Sequence, residues 1–160
     1  MSRDKIISWE QLKEEVKKWQ TSGLKVVFTN GCFDLLHIGH IRYLQAAKKY
    51  GDKLIVAINS DRSVREIKGK RRPIISENER AEIVAALDCV DRVVIFDEPT
   101  PLSLINFLQP DVLVKGADWP EEKIVGREVV LAKGGKIIRI PVVEGISTTE
   151  IIKKILKRYK

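Results

Sequence analysis

The hydrophobic residues of the chain fall into five short runs rich in Val, Ile and Leu, separated by longer segments of mixed character. Such runs are typical of strands buried on both faces, as in parallel sheets covered by helices. They predict strands at residues 24–30, 53–59, 92–96, 111–116 and 136–141. Strands that alternate with helical segments indicate a doubly wound α/β fold, with a parallel five-stranded sheet in a single domain.

Between the strands, apolar residues return at helical spacing, and capping residues mark several helix starts. A serine followed three residues later by Gln or Glu predicts capping boxes at Ser8–Gln11, Ser76–Glu79 and Ser147–Glu150. The predicted helices cover residues 8–22, 39–50, 76–87, 121–133 and 148–159, and one more begins at Pro101. The polar stretch 60–73 is predicted to hold one helical turn. We expect an N-terminal helix in residues 1–23, followed by a domain over 24–160.

Length and composition restrict the class of protein. With 160 residues, 44% of them hydrophobic, the chain can build one domain with a substantial core. No apolar run approaches the roughly 18 residues of a membrane span, and the charged N-terminus is unlike a secretory leader. Cys32 and Cys89 lie far apart without a CxxC pair, which fits reduced thiols and a cytoplasmic location.

The net charge of +7 predicts an anionic partner. Lysine and arginine concentrate in two short clusters, at residues 65–72 and 153–160. Two short clusters do not form the long basic stripe with interleaved aromatic residues that favours nucleic-acid binding. We therefore expect a phosphorylated small molecule, and neither nucleic acid nor a membrane, as the partner.

Four stretches of unusual composition follow predicted strands. They are Asn30–His40, Asn59–Arg72, Lys115–Trp119 and Val142–Thr149. In a doubly wound sheet, ligands bind beyond the carboxyl ends of the strands, where the winding direction switches. The four stretches therefore predict one ligand site at this edge of the sheet.

The segment FTNGCFDLLHIGH, residues 28–40, holds both histidines of the chain, His37 and His40. It matches neither the Walker A loop nor the GxGxxG fingerprint. A strand, a loop and a helix start still supply free backbone N–H groups for an anion, and both imidazoles would project towards it. Gly39 would let a phosphate approach the backbone. Two alternatives stay open: a metal site completed by Cys32 or Asp34, and a purely structural role.

The sequences HIGH after GCFD, and GISTTEII at residues 145–152, resemble the two signatures of the HxGH nucleotidylyltransferase superfamily. The resemblance extends from Lys25 to Leu156 and implies a Rossmann-like domain of the nucleotidylyltransferase type. Within the superfamily, the chain looks most like the adenylyltransferase half of bacterial ADP-heptose synthase. The implied reaction transfers AMP from ATP to D-glycero-β-D-manno-heptose 1-phosphate, yielding ADP-heptose and pyrophosphate for lipopolysaccharide core synthesis. The kinase half would be a separate chain.

Other branches of the superfamily remain open. A cytidylyltransferase acting on a small phosphorylated alcohol is one alternative, although Val142 stands where that branch carries an arginine. An adenylyltransferase resembling FAD synthase is another. A nucleotide- or RNA-binding module that has lost the chemistry is a third, disfavoured by the presence of both signatures.

The resemblance also implies roles for individual residues. The catalytic candidates are His37, His40, Lys68 and Arg80, and Arg72 is the candidate for binding a substrate phosphate. The nucleotide-binding candidates are Thr29, Asn30, Gly31, Phe33, Gly39, Asp61, Lys115, Gly116, Asp118, Ser147, Thr148 and Thr149. Asp34 is expected to orient its loop through hydrogen bonds to N–H groups. The resemblance implies Mg²⁺ as the cofactor without a dedicated protein metal site, and a homodimer as one assembly.

Overall fold

The structure is a computed structural model that describes residues 1–160. Its strands are β1 (Val26–Gly31), β2 (Lys53–Asn59), β3 (Arg92–Phe96), β4 (Val112–Gly116) and β5 (Lys136–Ile140). Its α-helices are α1 (Trp9–Thr21), α2 (Ile38–Lys48), α3 (Asp61–Lys68), α4 (Glu77–Ala85), α5 (Leu102–Leu108), α6 (Arg127–Ala132) and α7 (Thr148–Arg158). Two short 3₁₀ helices span Ser2–Lys5 and Glu121–Lys123.

All five strands pair in parallel, in the order β3-β2-β1-β4-β5. The chain therefore winds outward from β1 in one direction through β2 and β3, and in the other through β4 and β5. This is the predicted doubly wound α/β sheet in a single domain. The direction switches between β1 and β4, and a crevice at this switch is where such sheets bind ligands.

Apolar side chains of the strands pack on both faces of the sheet, which explains the unbroken apolar runs of the sequence. On β2, Leu54, Val56 and Ile58 pack in the same cluster as side chains of α2 and α4. The intervening Ile55 and Ala57 pack on the opposite face, in a cluster with side chains of α1, α5 and α6. Alternate residues of a strand thus face different helical layers.

The N-terminal helix α1 contributes to the second of these layers. Ser8 caps it through the predicted capping box with Gln11. Leu12 is fully buried, and the indole N–H of Trp9 donates to the Ile95 carbonyl of β3 at 2.9 Å. Helix α1 therefore packs within the common core of the sheet.

Two helix predictions were wrong. Residues 60–73 were predicted to hold one turn, but α3 spans eight residues because Ser60 caps it and Val64 is buried against the core. The helix predicted over 121–133 is divided, because Gly126 has a φ of 88° and interrupts the helical backbone. The 3₁₀ turn at Ser2–Lys5 was not predicted either.

Three helix starts also differ in detail. At α7, Ser147 accepts the Glu150 N–H, but the reciprocal bond of the predicted capping box is absent. Pro101 is the N-cap of α5 and not its first residue. At α4, the Ser76 hydroxyl accepts from the Glu79 N–H and donates to the Glu79 carboxylate, in place of the full capping box. No helix of the protein is both long enough and apolar enough to cross a bilayer.

Candidate active site

A cleft of about 920 Å³ lies at the carboxyl ends of the strands. The four predicted stretches all contribute to its lining, so the structure brings them together as the topology predicts. Further walls come from the segment after β3, residues 99–101, and from residues 123–125. Of the predicted site residues, all line this cleft except Thr29, Asp61 and Arg80.

The two histidines lie against each other at the N-terminus of α2. His37 is the N-cap residue, and its ring stacks on that of His40 with centroids 3.8 Å apart. The backbone N–H of His37 donates to Nδ1 of His40 at 3.3 Å. Because Nδ1 accepts, the proton of a neutral His40 ring resides on Nε2, which is therefore available as a donor to a ligand.

Both imidazoles are held in the neutral state. Burial, helped by the neighbouring His37, lowers the pKa of His40 from 6.5 to about 4. Burial also lowers the pKa of His37. The Nδ1 atom of His37 is itself buried without a hydrogen-bond partner in the chain. A buried polar atom of this kind calls for a partner, and a ligand in the cleft would supply it.

No three His, Cys, Asp or Glu side chains converge in a geometry that would hold a metal ion. Of the two side chains proposed to complete a histidine metal site, Asp34 is occupied by other partners, described below. Burial raises the pKa of the Cys32 thiol, which disfavours the thiolate that binds metals. The geometry therefore favours an anion over a metal at the histidines.

Gly39 and Gly31 make room for aromatic rings of the cleft. A Cβ on Gly39 would lie 3.0 Å from both Cε1 and Nδ1 of His37, so the ring, and not a phosphate, occupies the space predicted for a ligand. A Cβ on Gly31 would lie 2.9 Å from the Phe33 ring, whose centroid is 5.2 Å from that of His40. The two glycines thus fix the positions of the rings that flank the anion site.

The second signature meets the first at the start of α7. The hydroxyl of Ser147 caps α7 by accepting the Glu150 N–H at 3.0 Å. Thr148 is buried and donates to the Leu35 carbonyl in the loop before α2 at 3.4 Å, while Thr149 stays exposed at the rim. Two helix N-termini, α2 and α7, therefore open on one cleft, with free N–H groups and positive dipole ends.

Basic side chains surround these helix starts. Lys68, Arg72 and Lys115 line the cleft as predicted, and Arg42 and Lys123 add two cations that the sequence analysis did not select. Burial lowers the pKa of Lys115 and the nearby Asp118 opposes that shift. The Lys115 Nζ lies 5.8 Å from the ring centroid of Trp119. The cleft is thus suited to a polyanionic ligand.

Arg80 does not face the cleft as predicted. Its side chain is fully buried, and it donates to the carbonyls of Ile75, Cys32 and Asn59 at 2.6–2.8 Å. It also pairs with Asp61 at 2.8 Å, so the carboxylate predicted to contact the nucleotide is occupied. Both residues hold the loops of the cleft in place.

Thr29 is likewise behind the wall of the cleft. It is fully buried, donates to the Val114 carbonyl at 3.0 Å, and shares a 2.8 Å hydrogen bond with the Tyr43 hydroxyl. Its side chain therefore joins β1 to β4 at the switch point, and the residue does not line the cleft as predicted.

Asp34 has the orienting role that the sequence suggested, although its partners lie about forty residues away. Its buried carboxylate accepts from the N–H groups of Ile74 and Ile75 at 2.9–3.0 Å, and from Nε of Arg72 at 2.7 Å. The loop of the first signature is thereby joined to the basic segment that follows α3.

Comparison with known proteins identifies the family. The family model described as Cytidylyltransferase-like matches residues 28–154. The chain belongs to the cytidylyltransferase-like family. A lipopolysaccharide core biosynthesis protein from Thermoplasma volcanium superimposes with a TM-score of 0.64 and 34% identity, over 76% of this chain and 100% of that one. The predicted fold and the predicted resemblance to nucleotidylyltransferases are both confirmed.

Longer relatives share a higher sequence identity with this chain than the Thermoplasma volcanium protein does. Bifunctional protein HldE of Citrifermentans bemidjiense is 55% identical over 99% of this chain, and that of Geotalea uraniireducens is 58% identical over 94%. These alignments cover 32% and 31% of the two relatives. The chain thus spans about a third of the length of the curated relatives it matches.

Several residues that line the cleft were not predicted from the sequence. Tyr43 lines the cleft one helical turn after His40, a spacing that could have placed it on the same face. The segment Pro99–Pro101 follows β3 and therefore lies at the edge of the sheet where ligands bind. The rule used for the segments after the other strands would have indicated this position. No sequence pattern indicated that Lys123–Val125 line the cleft, because these residues were predicted to lie within a continuous helix.

Proposed function

We propose that this chain is an adenylyltransferase that transfers AMP from ATP to D-glycero-β-D-manno-heptose 1-phosphate. The observation that carries the proposal is the identity of 51–58% with bifunctional HldE proteins over nearly the whole chain. The chain corresponds to about a third of the length of those proteins, and its motifs resemble their adenylyltransferase part. The product would be ADP-heptose for the lipopolysaccharide core.

The cleft supports a direct displacement at phosphorus. The sugar 1-phosphate is already an anion, so it can attack the α-phosphate of ATP without a covalent enzyme intermediate, and pyrophosphate leaves. Catalysis then consists of positioning and of stabilising charge on the transferred phosphoryl group. Neutral His37 and His40 would donate N–H bonds to its oxygens, and Lys68 and Lys115 would balance the added charge. The start of α7 would hold the β- and γ-phosphates.

Mg²⁺ would enter with the nucleotide. Only two carboxylates line the cleft, Asp34 and Asp118, and Asp34 already has three partners. The donor set therefore fits a cation held mainly by phosphate oxygens, with Asp118 as the one carboxylate in reach of the same space. Bound there, Mg²⁺ would neutralise charge on the leaving pyrophosphate.

The two substrates would occupy opposite sides of the sheet edge. His37, His40 and Tyr43 lie on the α2 side of the cleft, whereas Leu113 and Ile124 pack with α5 and α6 on the other side. The α2 side of the cleft contains the helix N-termini, whose free N–H groups suit a triphosphate. We assign the sugar phosphate to the other side, between Pro99–Pro101 and Lys123–Val125, where Lys123 supplies a cation.

The proposal has consequences for partners and location. A kinase activity would act upstream, in the pathway that supplies the sugar 1-phosphate. The reaction consumes ATP, so we place the protein in the cytoplasm, and we propose a homodimer as its assembly.

The test is pyrophosphate release in the presence of Mg²⁺, with ATP or CTP paired with heptose 1-phosphate, glycerol 3-phosphate or FMN. We expect release with ATP and heptose 1-phosphate, and at least a roughly hundredfold loss in His40→Ala. Exposed Gln45→Ala, on the same helix, is the matched control. Release with a different pair would move the protein to a sister activity. If a folded protein that binds ATP released no pyrophosphate with any of these pairs, the transferase proposal would be refuted.

A further inference from the structure

We propose that Asp34 is a positioning residue that aims the guanidinium of Arg72 at a phosphate group in the cleft. The inference rests on the proposed function, because it assigns the phosphate to one of that reaction's substrates. It gives the carboxylate of the first signature a task in substrate binding beyond holding its own loop.

The geometry of the ion pair leaves the binding end of Arg72 free. Of the Arg72 side-chain nitrogens, only Nε donates to Asp34, at 2.7 Å from Oδ2, which also accepts from the Ile74 N–H at 3.0 Å. Neither Nη atom of Arg72 has a hydrogen-bond partner in the chain, and the residue lines the cleft. Arg72 therefore retains its forked pair of Nη groups, which match two oxygens of a phosphate.

The pair is held where water screens it weakly. The Asp34 side chain is 0% exposed and that of Arg72 is 14% exposed. Burial alone would raise the pKa of Asp34, but hydrogen bonds from Ile75, Ile74 and Arg72 outweigh it, and the pKa is lowered. The carboxylate thus stays charged at neutral pH and keeps Arg72 in one orientation.

Asp34 also fixes the backbone that carries Arg72. Its two oxygens accept from the N–H groups of Ile74 and Ile75, two and three residues further on. The neighbouring Lys70 and Arg71 have no such tie and are exposed. Within the basic sequence KGKRR, residues 68–72, the Asp34 carboxylate therefore binds only the side chain of Arg72. This contact joins Arg72 to the loop that ends at His37.

The experiment is a double-mutant cycle of Asp34→Asn and Arg72→Ala. Its first readout is the affinity for pyrophosphate by calorimetry, which needs no turnover and so stays informative if the proposed reaction is wrong. Its second is KM for ATP and for heptose 1-phosphate. We expect roughly tenfold weaker phosphate binding in Arg72→Ala, a similar loss in Asp34→Asn, and no further loss in the double variant. Arg71→Ala should change affinity less than about twofold.

The two KM values distinguish the source of the phosphate. A rise confined to ATP, with weaker pyrophosphate binding, assigns Arg72 to the triphosphate, whereas a rise confined to heptose 1-phosphate assigns it to the acceptor. Additive losses in the double variant would overturn the proposal, since Asp34 would then act independently of Arg72. Unchanged affinity and KM in Arg72→Ala would also overturn it.

Arg72→Lys covers the case in which Asp34→Asn fails to fold. A lysine has one ammonium group, which cannot bond Asp34 at one atom and present a fork to phosphate at others. We expect Arg72→Lys to lose nearly as much affinity as Arg72→Ala. Full affinity in Arg72→Lys would mean that charge alone suffices, and would refute positioning by Asp34.

Discussion

The histidine pair makes the stability of the free protein depend on pH in a defined direction. In the folded chain the pKa of His40 is lowered from 6.5 to about 4, so the unfolded chain binds the proton first as pH falls. Stability from this group is therefore complete above pH 6.5 and is lost progressively towards pH 4.

We expect the thermal midpoint of the ligand-free protein to fall between pH 7 and pH 5 by several degrees more than that of His40→Gln. Thermal unfolding of both proteins at a series of pH values measures this. Parallel curves would show that His40 does not titrate as its burial requires.

A substitution at Gly39 should affect turnover without affecting the stability of helix α2. Alanine is a better helix former than glycine by about 1 kcal/mol, so Gly39→Ala should preserve stability. Its Cβ would nevertheless lie 3.0 Å from two atoms of His37 and displace the ring. We expect turnover to fall roughly tenfold or more with an unchanged thermal midpoint. Gln45→Ala on the same helix is the control, and normal turnover in Gly39→Ala would show that the ring position is not critical.

At the scale of secondary-structure elements, Arg80 of α4 holds three loops together. It donates to carbonyls in the segment after β1, at the last residue of β2 and in the segment before α4, and it pairs with Asp61 of α3. Methionine would fill the volume but leave a carboxylate and three carbonyls unpaired. We expect Arg80→Met to reduce the free energy of unfolding by about 3–5 kcal/mol in urea titrations. Exposed Arg71→Met is the control, and an equally small loss in both would contradict the structural role.

The role of Arg80 could not be predicted from the sequence. A basic residue near a basic loop was assigned to the ligand, because neither its burial nor its four partners are visible in the order of residues. By contrast, the N-caps Ser8, Ser76 and Ser147 depend on local hydrogen bonds and were predicted correctly, although only Ser8 forms the full capping box. Local interactions can be read from spacing, whereas the exposure of one arginine depends on the packing of distant segments.

Across the whole molecule, the core includes the N-terminal helix. Leu12 of α1 is fully buried among residues of the sheet and α5. We expect Leu12→Ala to lower the free energy of unfolding by about 2–5 kcal/mol, in one cooperative transition. Exposed Lys17→Ala on the same helix is the control. A negligible loss, or a separate early transition of α1, would contradict a shared core.

The sheet and the location of the cleft could be predicted because both follow from the alternation of apolar strands and helices. The two signatures lie about a hundred residues apart, yet parallel topology brings His37 and Thr148 to one edge. The wall formed by Lys123–Val125 could not be predicted, since it depends on the break in the helix at Gly126 and its residues form no recognisable pattern. The residues around the two signatures could therefore be predicted more completely than the walls that we assign to the acceptor.

The fate of the α-phosphate of ATP tests the proposed adenylyl transfer directly. The protein is incubated with Mg²⁺, heptose 1-phosphate and ATP labelled at the α-phosphorus, and the products are identified by mass spectrometry. We expect the label to appear in ADP-heptose, with one pyrophosphate released per product, and we expect His40→Ala to form little labelled product. Label that remains in ATP, or appears in free AMP or on the protein, would contradict adenylyl transfer by direct displacement.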